Sequence, residues 1–305
     1  MRKRIALGSA ALVLFFSVAT AQMTGGMTGG AMSGGMAMAG SFVETDDGAR
    51  LYYEVHGEGE PMVLIHGYPL NSGLFRDNVA ALSAEYQVVT VDLRGFGNSE
   101  TPNAEGSIET YASDTLAVMD ELGLERAVVA GMSMGGMTAL EMYSQAPERF
   151  SGLVLIDTTA RPAGTAEAGL WNGSAAQAQE PDGLTTLGAY FLPDMLSTAT
   201  RTEQPALAEY LGTLVGEASV DGAVGGGVAL AERPDARGTL ANITVPTLIL
   251  VGENDSLTPV EVHQEMQAGI LNSQLVILPG AAHGAVLEAA DEANAAILEW
   301  AAGLP

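Results

Sequence analysis

The sequence predicts an α/β protein with a mostly parallel, doubly wound sheet and an inserted helical cap. Short runs rich in Val, Ile and Leu alternate with segments of helical periodicity, which is typical of a parallel sheet covered by helices on both faces. The alternation stops near residue 161 and resumes near residue 242, and the stretch between contains helical segments but no strong strand. We therefore divide the folded chain into a first core part (42–160), a helical cap (161–241) and a second core part (242–305).

The N-terminal residues predict export. A basic cluster at residues 2–4 precedes an apolar stretch at residues 5–18, and Ala19-Thr20-Ala21 has the form of a signal-peptide cleavage site. About 14 residues at ~1.5 Å each are too short for a ~30 Å hydrocarbon core, which disfavours a membrane anchor. We expect residues 1–21 to be a signal peptide and the mature protein to be periplasmic or secreted, without stable membrane insertion.

Residues 23–40 repeat Met-Thr-Gly-Gly-like units and have no periodic apolar face, and they make up most of a segment at residues 22–41. This composition is typical of a flexible linker, with an end-to-end distance of ~25 Å for about 18 residues. Methionine thioethers can also bind Cu(I), but neither His nor Cys accompanies them. We therefore favour a linker over a metal site.

The charge and the missing residue types exclude several functions. The chain has 37 acidic and 12 basic residues and a formal net charge of −25, which repels phosphate backbones and disfavours a nucleic-acid partner. It has no Cys, and Lys3, its one lysine, lies in the predicted signal peptide. Thiolate metal sites, disulfides and lysine Schiff-base chemistry are therefore not expected. The oligomeric state stays open.

The individual elements follow from the apolar pattern, taken in chain order. Asp46-Asp47-Gly48 separates the first two strand patterns and indicates a hairpin. The predicted strands are 42–45, 51–56, 61–66, 86–92, 127–130, 153–157, 247–251 and 274–278. The predicted helices are 74–85, 108–122, 133–145, 206–215 (in the cap), 260–268 and 291–302. An insertion of this length beyond the carboxyl ends of the strands predicts a lid over the ligand site.

Gly131-Met132-Ser133-Met134-Gly135 follows a predicted strand and opens a predicted helix. A nucleophile at such a sharp turn has a strained backbone, and neighbours without side chains let the strand and the helix pack closely. The same turn brings the Met134 backbone N–H and the helix N-terminus beside a developing oxyanion. We predict Ser133 as the nucleophile and Met134 as one oxyanion donor.

A serine nucleophile needs a base, and the chain has four histidines. His283 lies in a loop between the last strand and the last helix, which favours it as the base. His263 falls inside a predicted helix and is expected at the surface, and His56 ends an early strand in another part of the sheet. His66 is expected to hold its own loop through hydrogen bonds to nearby backbone.

The base in turn needs a carboxylate that orients it. Asp255 follows a predicted strand directly, and the chain order Ser133, Asp255, His283 is that of a nucleophile-elbow hydrolase. Asp157 and Glu253 remain alternatives; the other role for Asp157 is to support the loop that enters the cap.

His66-Gly67-Tyr68-Pro69 follows the third predicted strand and leads into the first covering helix. We expect the backbone N–H of Tyr68 to be the second oxyanion donor at this position.

Five motifs in order resemble the α/β-hydrolase superfamily, in the branch with a helical cap. They are His66-Gly67-Tyr68-Pro69, the block from Asp92 to Ser99, Gly131 to Gly136, Gly252-Glu253-Asn254-Asp255 and Gly280-Ala281-Ala282-His283. The chain is similar to small-molecule esterases, to enol-lactone hydrolases such as 3-oxoadipate enol-lactonase, and to cofactor-free haloperoxidases or perhydrolases. The resemblance implies an α/β-hydrolase fold, and a structural rather than catalytic turn at Asp92 to Ser99.

The expected activity is hydrolysis of a small-molecule ester or lactone, without a metal or organic cofactor. Dehalogenases and epoxide hydrolases of this superfamily have Asp as the nucleophile, so Ser133 favours acyl transfer over alkyl transfer. Perhydrolysis uses the same residues and stays an alternative, as does a ligand-binding sensor with slow turnover. Four apolar residues of the cap either line the pocket or pack the cap's own core: Trp171, Tyr190, Phe191 and Met195.

Overall fold

The computed structural model describes residues 40–305. The predicted signal peptide (1–21), and all but the last two residues of the predicted linker (22–41), lie outside this range. Strand β1 begins at Ser41, where the linker was expected to end.

The eight strands form one sheet in the order β1-β2-β4-β3-β5-β6-β7-β8. Their bounds are β1 Ser41–Glu44, β2 Arg50–His56, β3 Glu60–Ile65, β4 Tyr86–Val91, β5 Ala127–Met132, β6 Phe150–Ile156, β7 Thr247–Gly252 and β8 Ser273–Leu278. The β1–β2 and β2–β4 pairs are antiparallel, and all other pairs are parallel. Every residue of β5 and β7 is buried, because helices cover both faces of the parallel part. The predicted mostly parallel sheet is confirmed.

Twelve α-helices accompany the sheet within residues 40–305. Their bounds are α1 Arg76–Leu82, α2 Ile108–Glu121, α3 Met134–Gln145, α4 Thr165–Ala178, α5 Gly183–Met195, α6 Thr198–Glu203, α7 Pro205–Gly216, α8 Val220–Glu232, α9 Arg237–Leu240, α10 Val260–Gly269, α11 Ala285–Glu288 and α12 Ala290–Ala301. Two short 3₁₀ helices lie at Ser72–Phe75 and Pro147–Arg149.

The helix predicted at 74–85 differs from the structure at both ends. A 3₁₀ turn precedes α1, because the Asn71 side chain accepts a hydrogen bond from Gly73 N–H and the Asp92 carboxylate accepts one from Ser72 N–H. These side-chain acceptors cap the chain before α1 begins at Arg76. The last helix, predicted at 291–302, begins at Ala290 and follows the separate turn α11.

The cap contains the six helices α4 to α9, between β6 and β7 in the chain. Helices α4 and α8 pack closely because α8 has Gly227 at the contact, where a Cβ atom would meet the Trp171 carbonyl and Ala175. Gly222 and Gly226 allow the same helix to approach the core at Gly95 and Tyr68. The glycines of α8 thus bring the cap against both α4 and the core.

Within residues 40–305, no single helix is long and apolar enough to cross a bilayer. Helices α7 and α8 reach that length and composition only as a pair, and the chain bends by 97° between them.

Candidate active site

Ser133 occupies the one-residue turn between β5 and α3, which we call the elbow. Its backbone has φ 53° and ψ −116°, a conformation that residues other than glycine rarely adopt and that functional turns stabilise by their surroundings. Those surroundings require glycine: a Cβ atom on Gly131 would meet the Gly135 carbonyl, and one on Gly135 would meet the Ile65 carbonyl. The backbone of the core therefore fixes the position of Ser133.

The structure brings the predicted triad together. His283 Nε2 lies 3.0 Å from Ser133 Oγ, and His283 Nδ1 lies 2.9 Å from Asp255 Oδ2. His283 and Asp255 are buried, whereas Ser133 is partly accessible. In this arrangement Nδ1–H donates to the carboxylate, and Nε2 is left as an acceptor for the serine hydroxyl.

Asp255 is held by the start of the loop that leads to α10. Its Oδ1 accepts hydrogen bonds from Leu257 N–H and Thr258 N–H, each at 2.9 Å, and Oδ2 accepts one from Thr258 Oγ1–H at 2.7 Å. Burial disfavours the charged carboxylate, but the contact with His283 and these hydrogen bonds lower the pKa of Asp255 below its ordinary value of 3.8. Asp255 is therefore ionised at neutral pH.

Burial also disfavours the protonated form of His283. The Asp255 carboxylate outweighs this effect, through its charge and its hydrogen bond, and raises the pKa of His283 above its ordinary value of 6.5. The pair is therefore built to stabilise an imidazolium when His283 accepts a proton.

The hydrogen bonds of the two alternative acids go to backbone N–H groups other than that of His283. Asp157 Oδ1 accepts a hydrogen bond from Gly252 N–H at 2.8 Å, and its Oδ2 accepts one from Ala285 N–H at 3.1 Å. Burial, together with the Asp255 charge, raises the pKa of Asp157 well above its ordinary value. The Asp157 side chain thus joins the end of β7 to the start of α11. Neither of these two hydrogen bonds goes to the loop entering the cap. Glu253 accepts from Gly280 N–H at the surface.

The two expected oxyanion donors lie on either side of the elbow. Met134 N–H begins α3, and Gly67, beside Tyr68, is so close to the elbow that its Cβ atom would lie 3.0 Å from Ser133 Cβ. Tyr68 and Met134 are both buried, yet the backbone N–H of neither residue donates a hydrogen bond to an acceptor within residues 40–305. Buried N–H groups are nearly always paired, so these two are available to a ligand oxygen.

A family model described as alpha/beta hydrolase fold matches residues 60–290, more than half of the chain. The chain belongs to the α/β-hydrolase fold family. It is 29% identical to 3-oxoadipate enol-lactonase 2 of Acinetobacter baylyi, over 75% of this chain and 84% of that protein. Two solved structures are also similar. A thermophilic esterase from Thermogutta terrifontis has 30% identity and a TM-score of 0.81, and covers 88% of this chain and 98% of its own. A bromoperoxidase from Bacillus anthracis has 27% identity and a TM-score of 0.77, and covers 87% of this chain and 100% of its own.

Of the remaining histidines of this α/β hydrolase, His263 was predicted wrongly. It lies in α10 as expected but is fully buried, and its Nε2 accepts a hydrogen bond from Thr158 N–H at 2.9 Å. Burial lowers its pKa to about 4, so it stays neutral. His66 bonds to backbone at Gly67 and Leu93, as predicted, and His56 bonds to Glu54.

The cap of the hydrolase contacts the site through an aromatic cluster. The Tyr68 ring packs edge-on against Trp171 of α4 and Phe191 of α5, which stack on each other with centroids 5.7 Å apart. The Tyr68 hydroxyl also donates to the Ala223 carbonyl of α8 at 3.0 Å. Of the four apolar cap residues named from the sequence, Trp171, Phe191 and Met195 are buried, whereas Tyr190 is 55% exposed.

Sequence reasoning missed several residues around the triad. Thr258 lies three residues after Asp255, within the short range at which an Asp side chain often accepts from backbone N–H groups, and this local signal was available. Asp194 and Glu288 contact the loops that contain Asp255 and His283 from other elements, and no local pattern marks them. Within residues 40–305, no three His, Asp or Glu side chains form a group that can hold a metal ion.

Proposed function

We propose that this protein is an exported serine hydrolase that cleaves small-molecule carboxylic esters or lactones through an acyl-enzyme on Ser133. The observation that carries the proposal is the continuous hydrogen-bonded chain from Ser133 through His283 to Asp255, with Ser133 at a strained elbow. A serine hydroxyl is a weak nucleophile alone, and this chain supplies the base and the orienting carboxylate that it needs.

The geometry supports a two-step mechanism. Ser133 Oγ attacks the ester carbonyl carbon while His283 Nε2 takes the hydroxyl proton, and the tetrahedral intermediate then collapses as His283 returns that proton to the leaving alkoxide. Water, activated by His283 in the same way, attacks the acyl-enzyme and releases the acid and Ser133. Asp255 keeps Nδ1 protonated and stabilises the imidazolium in both steps.

The unpaired N–H groups of Tyr68 and Met134 are the proposed oxyanion hole. They are fixed by backbone before substrate arrives, so they stabilise the charge that develops on the carbonyl oxygen without reorganisation. Each such donor contributes ~3 to 4 kcal/mol to transition-state stabilisation in comparable sites.

The surroundings of Tyr68 favour a small substrate with an apolar part. The cap residues Trp171 and Phe191 pack on the Tyr68 ring beside the elbow, and both are buried. The similar proteins whose names include esterase and enol-lactonase support an ester or its cyclic form, a lactone.

The test is turnover of p-nitrophenyl acetate by the wild type and by Ser133→Ala. We expect kcat to fall roughly 10⁶-fold, because members of a triad act as a unit. Ser144→Ala is the matched control, since Ser144 is an exposed serine of the same helix α3. It should retain wild-type turnover. Equal turnover by wild type and Ser133→Ala, or no labelling of Ser133 by a fluorophosphonate, contradicts the proposal.

A second activity, perhydrolysis, is favoured by the similarity to a bromoperoxidase. Peroxide would replace water at the acyl-enzyme and form a peracid with the same residues. Halogenation of a phenol dye by the wild type, with acetate, bromide and hydrogen peroxide present, tests this. Loss of the reaction in Ser133→Ala supports it, and absence of halogenation by the wild type contradicts it.

Export is proposed from the basic, apolar and A-x-A segments of residues 2–21. Expression of the full chain in a Gram-negative host, followed by fractionation and N-terminal sequencing, tests it. We expect a mature protein in the periplasm or medium that begins at Gln22. An uncut chain in the cytoplasm contradicts the proposal.

A further inference from the structure

The C-terminal end of the cap helix α5 contacts the loop that carries the base. The Asp194 carbonyl accepts a hydrogen bond from His283 N–H at 3.1 Å, and the Met195 carbonyl accepts one from Gly284 N–H at 2.8 Å. The last carbonyls of a helix have no partner within the helix. The backbone of the His283 loop therefore caps α5, and α5 in turn fixes that backbone.

The Asp194 side chain reaches the loop that carries the acid. Its Oδ1 accepts a hydrogen bond from Ser256 Oγ–H at 2.7 Å, and Ser256 directly follows Asp255. One residue of the cap is thus bonded both to the His283 loop, through its backbone, and to the Asp255 loop, through its carboxylate.

Glu288 strengthens the same junction. Its Oε2 accepts a hydrogen bond from Ala282 N–H at 2.7 Å, and its Oε1 accepts one from Ser197 N–H at 2.9 Å, just beyond α5. The residues before, at and after His283 are therefore all tied, directly or through Glu288, to the end of α5.

The position of Asp194 is unfavourable for the helix itself. A carboxylate at the C-terminal end of a helix faces the negative end of the helix dipole. Helix stability therefore does not account for an Asp at this position, whereas the contacts with the two catalytic loops do.

We propose that Asp194 is a positioning residue through which the cap holds the Asp255 loop and the His283 loop in register. The inference rests on the proposed function, since it assigns the cap a part in the geometry of the same triad.

Four groups on the elements around His283 bear on its titration. They are Asp255, Asp157 at the end of β6, Asp194 of α5 and the neutral His263 of α10. Burial opposes protonation of His283, and the three carboxylates raise its pKa, with Asp194 among them. Removing the Asp194 charge therefore lowers the pKa of His283.

The first experiment compares Asp194→Asn with Asp182→Asn, an identical change at the exposed N-terminal end of the same helix. An amide oxygen at residue 194 can still accept from Ser256 Oγ–H, so the change removes the charge and keeps the hydrogen bond. The pKa of the His283 imidazole is followed by NMR, which is practicable with four histidines, and thermal stability is measured alongside. We expect Asp194→Asn to lower the pKa of His283 and to leave the melting temperature equal or higher. Asp182→Asn should leave the pKa unchanged.

The second experiment measures positioning with Asp194→Ala, Ser256→Ala and the double variant. We expect Asp194→Ala to lower kcat about tenfold with KM changed less than about twofold, because a small displacement of a catalytic group lowers the rate at a given occupancy. Both single changes break the same hydrogen bond, that between Ser256 and Asp194, so the kcat of the double variant should be no lower than that of Asp194→Ala.

An unchanged pKa of His283 in Asp194→Asn, together with wild-type kcat in Asp194→Ala, overturns the inference. The inference is also overturned if the losses of kcat in Asp194→Ala and Ser256→Ala multiply in the double variant. Failure of the proposed function looks different: the wild type itself does not turn over esters, while the NMR titration still reports whether Asp194 acts on His283.

Discussion

The two sides of the contact between Ser133 and His283 are held in different ways. Ser133 is fixed through its own backbone: it lies in the turn from β5 to α3, its N–H donates to the Ile156 carbonyl of β6, and Gly135 lets α3 pack against β3. His283 lies in a loop whose position depends on separate segments: Asp255 after β7, Asp157 after β6 and the end of α5 in the cap. The proposed nucleophile is therefore held by packed backbone, whereas the proposed base is held by loops and side chains from several elements.

This difference implies that variants on the two sides fail in different ways. Changes around the serine elbow act on backbone packing and therefore on folding. Changes around His283 act on orientation and charge, and leave the core largely intact.

Among variants that keep Ser133, the largest effect is expected on the base side, from Asp255→Asn. The amide N–H of the new Asn donates to His283 Nδ1, which moves the ring proton to Nε2 and leaves no acceptor for the serine hydroxyl, so kcat should fall by roughly 10³ to 10⁴-fold. Asp157→Asn is the matched comparison, because the Asp157 carboxylate accepts its hydrogen bonds from the backbone N–H groups of Gly252 and Ala285. It should lower the free energy of unfolding by about 1–3 kcal/mol and lower kcat far less. Steady-state kinetics of both variants decide; an equal loss of kcat would assign the orienting role to both carboxylates.

On the nucleophile side, Gly135→Ala should destabilise the fold. The added methyl group meets the Ile65 carbonyl, which is backbone and cannot move aside, so the free energy of unfolding should fall by about 3 kcal/mol or more. Gly212→Ala is the control, since Gly212 is an exposed residue of α7 with open space around it. It should gain about 0.5–1 kcal/mol. Urea unfolding measures both, and an unaffected Gly135→Ala protein contradicts the account of the elbow.

Where the cap meets the loop that contains Tyr68, Tyr68→Phe should lower the stability less than Gly135→Ala does. The lost hydrogen bond to the Ala223 carbonyl lowers the free energy of unfolding by about 1 kcal/mol. Because the proposed oxyanion donor is the backbone N–H of Tyr68, kcat should change less than about threefold. Tyr190→Phe, with an exposed ring, serves as control and should behave as wild type. A large loss of kcat in Tyr68→Phe would give the hydroxyl a direct part in the reaction.

The smallest effect is on the pH dependence of kcat/KM. His283 must be neutral to accept the serine proton, and Asp255 outweighs burial to raise its pKa above 6.5. Activity should therefore fall as the pH drops through a pKa above 6.5. His66 and His263 do not interfere, because burial lowers their pKa. Initial rates with p-nitrophenyl acetate between pH 5 and 9 test this, and an acid limb below 6.5 contradicts it.

Most of the fold was predictable because its elements carry local signals. The continuous apolar runs of β3, β5 and β7 and the periodic helices between them predict a parallel sheet without tertiary information. The errors occur where a distant side chain overrides local preference. The helix expected from residue 74 begins at Arg76 because Asp92 accepts from Ser72 N–H, and His263 was placed at the surface although it accepts from Thr158 N–H.

The candidate site divides in the same way. The residue types of Ser133, His283 and Asp255, their chain order and their positions after strands are written in the sequence, because the elbow and the loop positions are local features of a parallel sheet. Only the tertiary structure brings Asp255 rather than Asp157 to His283, and only it places Asp194 and Glu288 beside the loops that contain Asp255 and His283. The physical reason is that a hydrogen bond between residues far apart in the chain depends on how the intervening elements pack, which no local pattern records.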